Sequence, residues 1–592
     1  MHPALGIQNL ERLSGSLHES QNSAVAAYHG SSSALREIMT LLLEDRLRAD
    51  QALLLPIVYH NLRPPTHPQN SFERSDHPRA IAARITIGIL GVMRKILPRP
   101  ALLEIWPRYW SWFQLVHPIE TDDPADQEPA LLGLILIISE VCFDVDELRK
   151  LSYTPRLRVY IGRAWNILLP ARINDPSYAR VWRTLWLFVR GTCGSRETGP
   201  TFTLEQLQEY IDGAGGIPDF VSLILRHIAL YSRGREQDAD GLDTVFYFLT
   251  FIYSDANLLR EELLSRRFVE SAMKALAAFP NLTARFPKVF IPCCLRLILA
   301  ILTSAPVHAT VKRAVEAGII PILVQYSMRS DAHAFADTMR QILAFLTTVC
   351  VYPSVLRPLL KSMGKLEHTF QSPQFQHSPI QPHWISLASI LRRHFSVMEE
   401  LEGAGAVKRR ACDNFECGKS ADEREFRRCA ACKCMYYCCV GCQSHDWIKG
   451  GHREECGSLR DIRRDNYLSF LTSRQKLFIL TLVSRQYPDP HAALRTDDKN
   501  KHDFFVHFNF HDAQSYLVDG RSNPRIFELT DSDNLEGYPG MQEMVKRASR
   551  SQGYMVPILV SINAGPPKFC SDHVILRRSR IDSVEVVHSF LF

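Results

Sequence analysis

The residues best suited to chemistry are cysteines, and most of them lie in one short stretch of the chain. Nine of the fifteen cysteines fall between residues 412 and 456. Candidate ligands occur there in four pairs, and within each pair the spacing of two to four residues can bring two donors to one tetrahedral metal ion. The pairs are Cys412 with Cys417, Cys429 with Cys432, Cys438 with Cys442, and His452 with Cys456. Eight donors predict two zinc ions.

The order of residues in this stretch resembles the MYND zinc finger. The resemblance rests on YYCCVGCQ from Tyr436, HDW from His445 and HREEC from His452, and it covers about 45 residues. It implies an interleaved arrangement, in which the first and third pairs hold one ion and the second and fourth pairs hold the other. This sequence departs from the family pattern in having four residues between the first two cysteines and four between Trp447 and His452. Both insertions are expected to fall in loops.

Three further residues compete with this assignment. Cys434 and Cys439 lie beside proposed ligands and are interpreted as packing thiols. His445 is an alternative to His452, although no cysteine follows it at the matching spacing. Because four protein ligands leave no open position for water, the ions are expected to supply folding free energy rather than catalysis.

The resemblance also implies a function, since MYND fingers are protein-binding modules that take up short proline-containing peptides. Flat aromatic rings suit the stiff, extended conformation of such peptides. Tyr436, Tyr437, Gln443 and Trp447 are the candidates for this contact, and Gln443 with Trp447 is the predicted groove. Alternatively, Tyr437 and Trp447 pack the small core of the finger.

The charge of the stretch gives little support for nucleic-acid binding. From Lys408 to Arg460 there are eleven Lys or Arg and eight Asp or Glu. Seven zinc-bound thiolates and two Zn2+ ions add about three negative charges, which cancel the positive excess. A phosphate-binding surface needs a concentrated positive face. We therefore predict protein partners, with a transcriptional regulator that contacts DNA as an alternative.

A SET-like lysine methyltransferase is the other alternative, because one MYND-containing family inserts the finger within a SET domain. That domain carries an Asn-His-Ser-Cys segment after the finger and a Gly-x-Gly cofactor loop. The sequence has no NHSC segment, and helical patterns occupy the place of the first SET half. Five polar residues near the C-terminus are interpreted as strand-end residues rather than a catalytic or metal site: His507, His511, Asp512, Asp572 and His573. We predict that the chain is not an enzyme.

The elements that must position the cysteines are mostly helices. Over residues 34–400, apolar residues recur at three- and four-residue steps. Five segments aligned on Pro107, Ile161, Pro218, Val269 and Pro321 follow one another at steps of 54, 57, 51 and 52 residues. Such a period suits stacked helical hairpins or triplets. The phrases GAGGIPDFVSL and VEAGIIPILVQY resemble the start of the third helix of armadillo repeats, and an irregular helical bundle is the alternative.

Residues 457–592 predict a small α+β unit, because the apolar period turns from 3.6 toward 2. Helices are predicted from Asp465 and from Met541. Strands are predicted from Asp503, Tyr554, His573 and Val584. We expect an antiparallel sheet with helices on one face.

The remaining features concern the N-terminus, membranes and the compartment. Residues 1–33 are polar and Ser-rich and predict a flexible leader without a secretion signal. The longest apolar runs, from Ala130 and Val289, are shorter than the roughly 20 residues of a membrane crossing and predict buried helices. The six cysteines outside the cluster have apolar neighbours, which favours a reducing intracellular compartment, nuclear or cytoplasmic. The fold class predicted is mostly α.

Overall fold

The computed structural model is mostly α-helical, as the periodicity predicts, with a small α+β unit at the C-terminus. The structure describes residues 1–13, 18–47, 50–64, 77–117, 124–141, 151, 153–171, 179–192, 203–233, 239–253, 257–279, 290–303, 307–403, 409–464, 471–486, 504–510, 525–528, 547, 550, 555–562 and 570–577. The chain forms two compact units, Met1–Ser271 with Arg285–Cys293, and Ala272–Ala284 with Cys294–Phe592. This division falls inside the region 34–400, which was predicted as one helical unit. The sequence does not reveal the division, because helical periodicity continues through it.

The helices are numbered in chain order. The first twelve are α1 (His18–Tyr28), α2 (Ser32–Leu43), α3 (Leu55–Asn61), α4 (Pro78–Met93), α5 (Arg99–Val116), α6 (Pro124–Val141), α7 (Leu157–Ala171), α8 (Ala179–Thr192), α9 (Leu204–Ala214), α10 (Ile217–Tyr231), α11 (Ala239–Ile252) and α12 (Asn257–Ser265). The next twelve are α13 (Phe268–Ala278), α14 (Phe290–Leu302), α15 (Val307–Glu316), α16 (Ile319–Ser327), α17 (Ala336–Thr348), α18 (Pro353–Gly364), α19 (Glu367–Phe370), α20 (Pro373–Gln376), α21 (Gln381–Gly403), α22 (Val440–Ile448), α23 (His452–Arg464) and α24 (Ser473–Gln486). Short 3-10 helices cover Pro3–Leu5, Ile7–Arg12, Gln51–Leu54, Arg94–Ile96, Ala332–Ala334, Val349–Val351 and Glu423–Glu425.

In the first unit, α7 and α9 pack with their backbones in close approach. A Cβ added to Gly162 would lie 2.6 Å from the carbonyl oxygen of Tyr210. A Cβ added to Gly213 would overlap the carbonyl of Val159 and lie 3.0 Å from the backbone nitrogen of Arg163. The two helices therefore meet through glycines, at positions where any side chain would force them apart.

A buried histidine lies in the core of the first unit. The indole Nε1 of Trp165 donates to Nδ1 of His227 over 3.0 Å, and Nε2 of His227 donates to the carbonyl oxygen of Gly241 over 3.1 Å. These contacts use one ring nitrogen as acceptor and the other as donor, which only the neutral imidazole offers. Burial accordingly lowers the pKa of His227 from 6.5 to about 4.

In the second unit, α17, α18 and α24 pack against α21, and α15 packs against α18. His394 of α21 is buried, and its Nδ1 lies 3.0 Å from the carbonyl oxygen of Cys350. Burial lowers the pKa of His394 to about 4. On the surface, Arg485 of α24 pairs with Glu400 of α21 at 2.6 Å.

Because His227 and His394 have lowered pKa values in the folded protein, we predict that acid destabilises it. In the unfolded chain each ring binds a proton below pH 6.5, whereas the folded pKa is about 4. The unfolded state thus binds more protons in that window, and the free energy of unfolding falls as pH falls, by at most about 3 kcal/mol per histidine. Urea unfolding at neutral pH and at about pH 5 measures this loss.

The control for this prediction is His227→Gln, which keeps an acceptor for Trp165 and a donor for Gly241 but does not titrate. We expect a shallower pH dependence in this variant than in the wild type. Equal pH dependence in the two proteins would show that His227 does not contribute.

The C-terminal sheet contains β5 (Phe504–Asn509), β6 (Arg525–Glu528), β7 (Met555–Ile562) and β8 (Cys570–Arg577) in the order β6-β5-β7-β8. The β5–β6 and β7–β8 pairs are antiparallel, but β5 and β7 are parallel. The expectation of a purely antiparallel sheet is therefore wrong. Alternation of apolar residues indicates a strand but not its direction, and the long connection from β5 to β7 permits the crossover that a parallel pair needs.

Several predicted elements at this end differ from the structure or lie outside the described residues. The predicted strand from Val584 lies outside them, and of the predicted helix from Met541 only Arg547 and Arg550 are described, both helical. The helix predicted from Asp465 begins at Ser473 in the described part. Strand β6 was not predicted, because it is only four residues long.

The prediction of a flexible leader over residues 1–33 is also corrected. Residues Pro3–Arg12 form two 3-10 helices, and α1 and the start of α2 follow. Leu5, Leu10 and Leu13 are buried and anchor this segment. The prediction was wrong because the average composition of the segment is polar and does not reveal three spaced leucines. Among the described helices, none combines the length and apolar composition that crossing a bilayer requires.

Candidate metal centre

The cysteine cluster is built from two small hairpins and two helices. Strand β1 (Arg409–Ala411) pairs antiparallel with β2 (Ser420–Asp422), and β3 (Arg427–Arg428) pairs antiparallel with β4 (Tyr436–Tyr437). Each hairpin carries one pair of cysteines. Cys412 directly follows β1 and Cys417 lies in the turn back to β2, and Cys429 and Cys432 occupy the same places between β3 and β4.

The other two pairs lie at helix starts. Cys438 follows β4 and Cys442 is in the first turn of α22. His452 and Cys456 lie in the first turns of α23, four residues apart and hence on one face of that helix. Gly451 has φ +85° and turns the chain into α23, a conformation that glycine adopts without strain. Because α23 continues to Arg464, the predicted boundary between residues 456 and 457 falls inside a helix.

The structure brings the eight predicted ligands together in two groups of four. Cys412, Cys417, Cys438 and Cys442 form one group. Cys429, Cys432, His452 and Cys456 form the other. Within each group all donor atoms lie within 4.8 Å of one another, so each group could hold a metal ion. The grouping joins the first pair to the third and the second to the fourth.

The distances between donors fit a tetrahedral ion. With Zn–S near 2.3 Å and Zn–N near 2.0 Å, a tetrahedron has S–S edges of about 3.8 Å and S–N edges of about 3.5 Å. In the first group, Cys438 Sγ lies 3.4 Å from Cys417 Sγ and 3.5 Å from Cys442 Sγ. In the second, Cys429 Sγ lies 3.9 Å from Cys456 Sγ and Cys432 Sγ lies 3.7 Å from His452 Nε2. These distances also exclude disulfides, whose sulfurs are about 2.05 Å apart.

The protonation of the buried thiols depends on whether a cation is bound. Burial raises the pKa of Cys412 to about 12 and that of Cys456 to about 12. In contrast, hydrogen bonding with Cys434 lowers the pKa of Cys432. Each group therefore contains a sulfur that would hold its proton at neutral pH unless a positive ion compensated the thiolate.

The competing residues lie outside both groups. Cys434 is buried, and its Sγ donates to the carbonyl oxygens of Cys432 and Leu459 at 3.2 and 3.3 Å, as a packing thiol would. Cys439 is exposed rather than packed, and its sulfur caps the start of α22. His445 belongs to neither group, and its Nε2 lies 3.3 Å from a carboxylate oxygen of Glu416.

Of the four residues considered for peptide contact, two are buried. Tyr437 is fully buried and donates to Asp446 over 2.6 Å. Tyr436 is 5% exposed, beneath the guanidinium of Arg410. These tyrosines belong to the buried core of the cysteine-rich segment, which corrects the idea that they contact a ligand.

Gln443 and Trp447 remain accessible on α22. They are four residues apart and share one face of the helix. Trp447 is 38% exposed, and its ring also packs edge-on against His452 with centroids 5.5 Å apart. Val440 at 56% and Ile448 at 77% exposure extend the apolar surface along the same helix.

A buried charge cluster that includes a residue of α22 was not predicted from the sequence. It contains Asp446, Glu455 and Arg547, each at most 4% exposed, and Asp413 lies beside it. Burial raises the pKa of Asp413 to about 6. The signal in the sequence is weak, because the arginine is far from the carboxylates along the chain. The only indication of this cluster in the sequence is that acidic residues, Asp413 and Glu455, stand directly beside predicted ligands.

The polar residues near the C-terminus do not form a second centre among the described residues. His507 on β5 lies 2.8 Å from the hydroxyl of Ser561 on β7. Asp572 and His573 lie within β8, and His511 and Asp512 lie outside the described residues. In the described part of the chain, the two cysteine-rich groups are the clusters that could hold a metal ion.

Comparison of the chain with models of known protein families, with curated proteins and with solved structures gave no match.

Proposed function

We propose that the two groups bind structural zinc and that the chain is a protein-interaction adaptor of the MYND-finger type. The observation that carries the zinc proposal is the closure of both groups: four soft donors, at edge lengths suited to zinc, leave no position for substrate. A segment of this size has too small a core to fold without such cross-links. The ions would therefore hold the hairpins to the helices.

The exposed face of α22 supports the second half of the proposal. Val440, Trp447 and Ile448 expose apolar surface on a helix whose opposite side is fixed to the metal groups through Cys442. An aromatic ring beside an amide side chain, Trp447 beside Gln443, offers a flat apolar contact and a hydrogen-bonding group to an extended proline-containing peptide. The helical part of the chain would act as the scaffold that carries this finger.

We predict that Gln443→Ala and Trp447→Ala each weaken the binding of proline-containing peptides by about tenfold or more, since truncation of a central aromatic or polar contact has that effect. An array of short proline-containing peptides, with scrambled proline-free sequences beside them, identifies a ligand. Fluorescence anisotropy then measures its affinity for each variant.

The matched control is Glu454→Ala, an exposed position on α23, which should leave affinity unchanged. Because Trp447 also contacts His452, each variant must keep the zinc content of the wild type. Equal affinity for all variants, or an array with no preference for proline, would refute the proposal of peptide docking. The proposal of zinc binding would not be affected by that outcome.

A further inference from the structure

A guanidinium is completely enclosed by the finger. Arg547 is 2% exposed, although it lies 101 residues from Asp446 and 92 residues from Glu455 along the chain. Its Nη1 donates to Glu455 Oε2 over 2.8 Å. Its Nη2 lies 2.9 and 3.0 Å from the two carboxylate oxygens of Asp446 and donates to the carbonyl oxygen of Asp413 over 2.9 Å.

The chemistry of this enclosure is specific for arginine. Two carboxylates and a backbone carbonyl converge on the two terminal nitrogens, and the Cζ atom lies 4.6 Å from the centre of the Phe415 ring. A planar fork of donors that stacks on an aromatic ring satisfies all four contacts, whereas an ammonium presents one compact point charge. Lysine could not span the same acceptors.

We propose that the finger contains a binding site for an arginine side chain, and that Arg547 fills this site within the same chain. Arg547 is then a constituent of the folded finger rather than a separate neighbour. The carboxylates require this arginine, because Asp446 and Glu455 are at most 4% exposed and a buried charge without a partner is strongly unfavourable.

The site also positions the exposed helix. Asp446 lies in α22 directly before Trp447, and its Oδ2 accepts from the Tyr437 hydroxyl over 2.6 Å as well as from Arg547. Glu455 lies in α23 between the ligands His452 and Cys456. Arg547 thus joins the two helices that carry metal ligands. Any effect on peptide binding rests on the proposed function, whereas the arginine site does not.

The test compares Arg547→Ala with Arg550→Ala in the full chain. Arg550 also pairs with Glu455 but is 45% exposed, so its loss should matter little. Amide hydrogen exchange of peptides spanning α22 and α23 is the readout. We expect exchange on the order of 100-fold faster in Arg547→Ala and changed by less than about 3-fold in Arg550→Ala.

Chemical rescue tests the identity of the ligand. Ethylguanidinium, at concentrations far below those that denature proteins, should slow exchange in Arg547→Ala by at least about tenfold, while ethylammonium should not. Equal rescue by both cations, no rescue, or wild-type exchange in Arg547→Ala would overturn the proposal.

A second variant keeps the test decisive if Arg547→Ala does not fold. Arg547→Met combined with Asp446→Asn and Glu455→Gln removes the orphaned charges, so it should fold and exchange more slowly than Arg547→Met alone. Failure of the neutral triple variant to improve on Arg547→Met would contradict the proposal. Zinc content is measured in parallel, so that the zinc proposal and the arginine-site proposal are tested separately. If the protein contains no zinc but its exchange still depends on Arg547, only the zinc proposal is refuted.

Discussion

Cys432→Ser is expected to lose at least one of the two proposed zinc ions and to unfold residues 409–464. Cys432 contributes one of four donors to its group, and serine is a much poorer ligand for zinc than a thiolate. Structural zinc contributes on the order of 10 kcal/mol to the folding of comparable fingers. Because the groups are interleaved along the chain, we expect opening of one to weaken the other. Elemental analysis of purified protein gives the zinc content, and circular dichroism on chelation gives the loss of structure.

Cys434→Ser is the matched control, since Cys434 is also buried and only two residues away but belongs to neither group. It should keep about two zinc ions, with a stability loss of about 1 kcal/mol from its two weak hydrogen bonds. Full zinc content in Cys432→Ser, or equal zinc loss in both variants, would contradict the assignment of ligands. Wild-type protein without zinc would refute the metal proposal itself.

Gly213→Ala is expected to destabilise the first unit by about 3 kcal/mol, which is large for one added methyl group. The new Cβ would lie 2.9 Å from the carbonyl carbon of Val159 and 3.0 Å from the backbone nitrogen of Arg163, both backbone atoms that cannot rotate away. Helices α7 and α9 would therefore have to separate. Urea unfolding followed by circular dichroism measures the loss.

The comparison for this variant is Gly133→Ala in α6, where nothing lies within 4 Å of the added Cβ. Alanine there should stabilise the protein by about 0.5 kcal/mol, because it restricts the unfolded chain and favours helix. If Gly213→Ala were as stable as Gly133→Ala, the close approach of α7 and α9 would be wrong.

The amino-acid sequence by itself determined the mostly helical fold and the eight residues that the structure collects into two groups able to hold a metal ion. Helical periodicity is a local property, so segments such as those containing Pro218 and Pro321 could be recognised from their neighbours alone. The members of these two groups were predictable for a related reason. Cysteine and histidine pairs at metal-binding spacings are rare by chance, and each pair is short enough to be read within one turn or hairpin.

Tertiary structure decided what depends on distant residues. The pairing of Arg547 with Asp446 and Glu455, the parallel alignment of β5 with β7 and the glycine contact between Gly162 and α9 all join segments far apart in the chain. The exposure of Trp447 and the burial of Tyr437 were settled in the same way, since both are aromatic and either could have packed the core. Local sequence reports how a segment prefers to fold, whereas the partner of each side chain is fixed only when the whole chain packs.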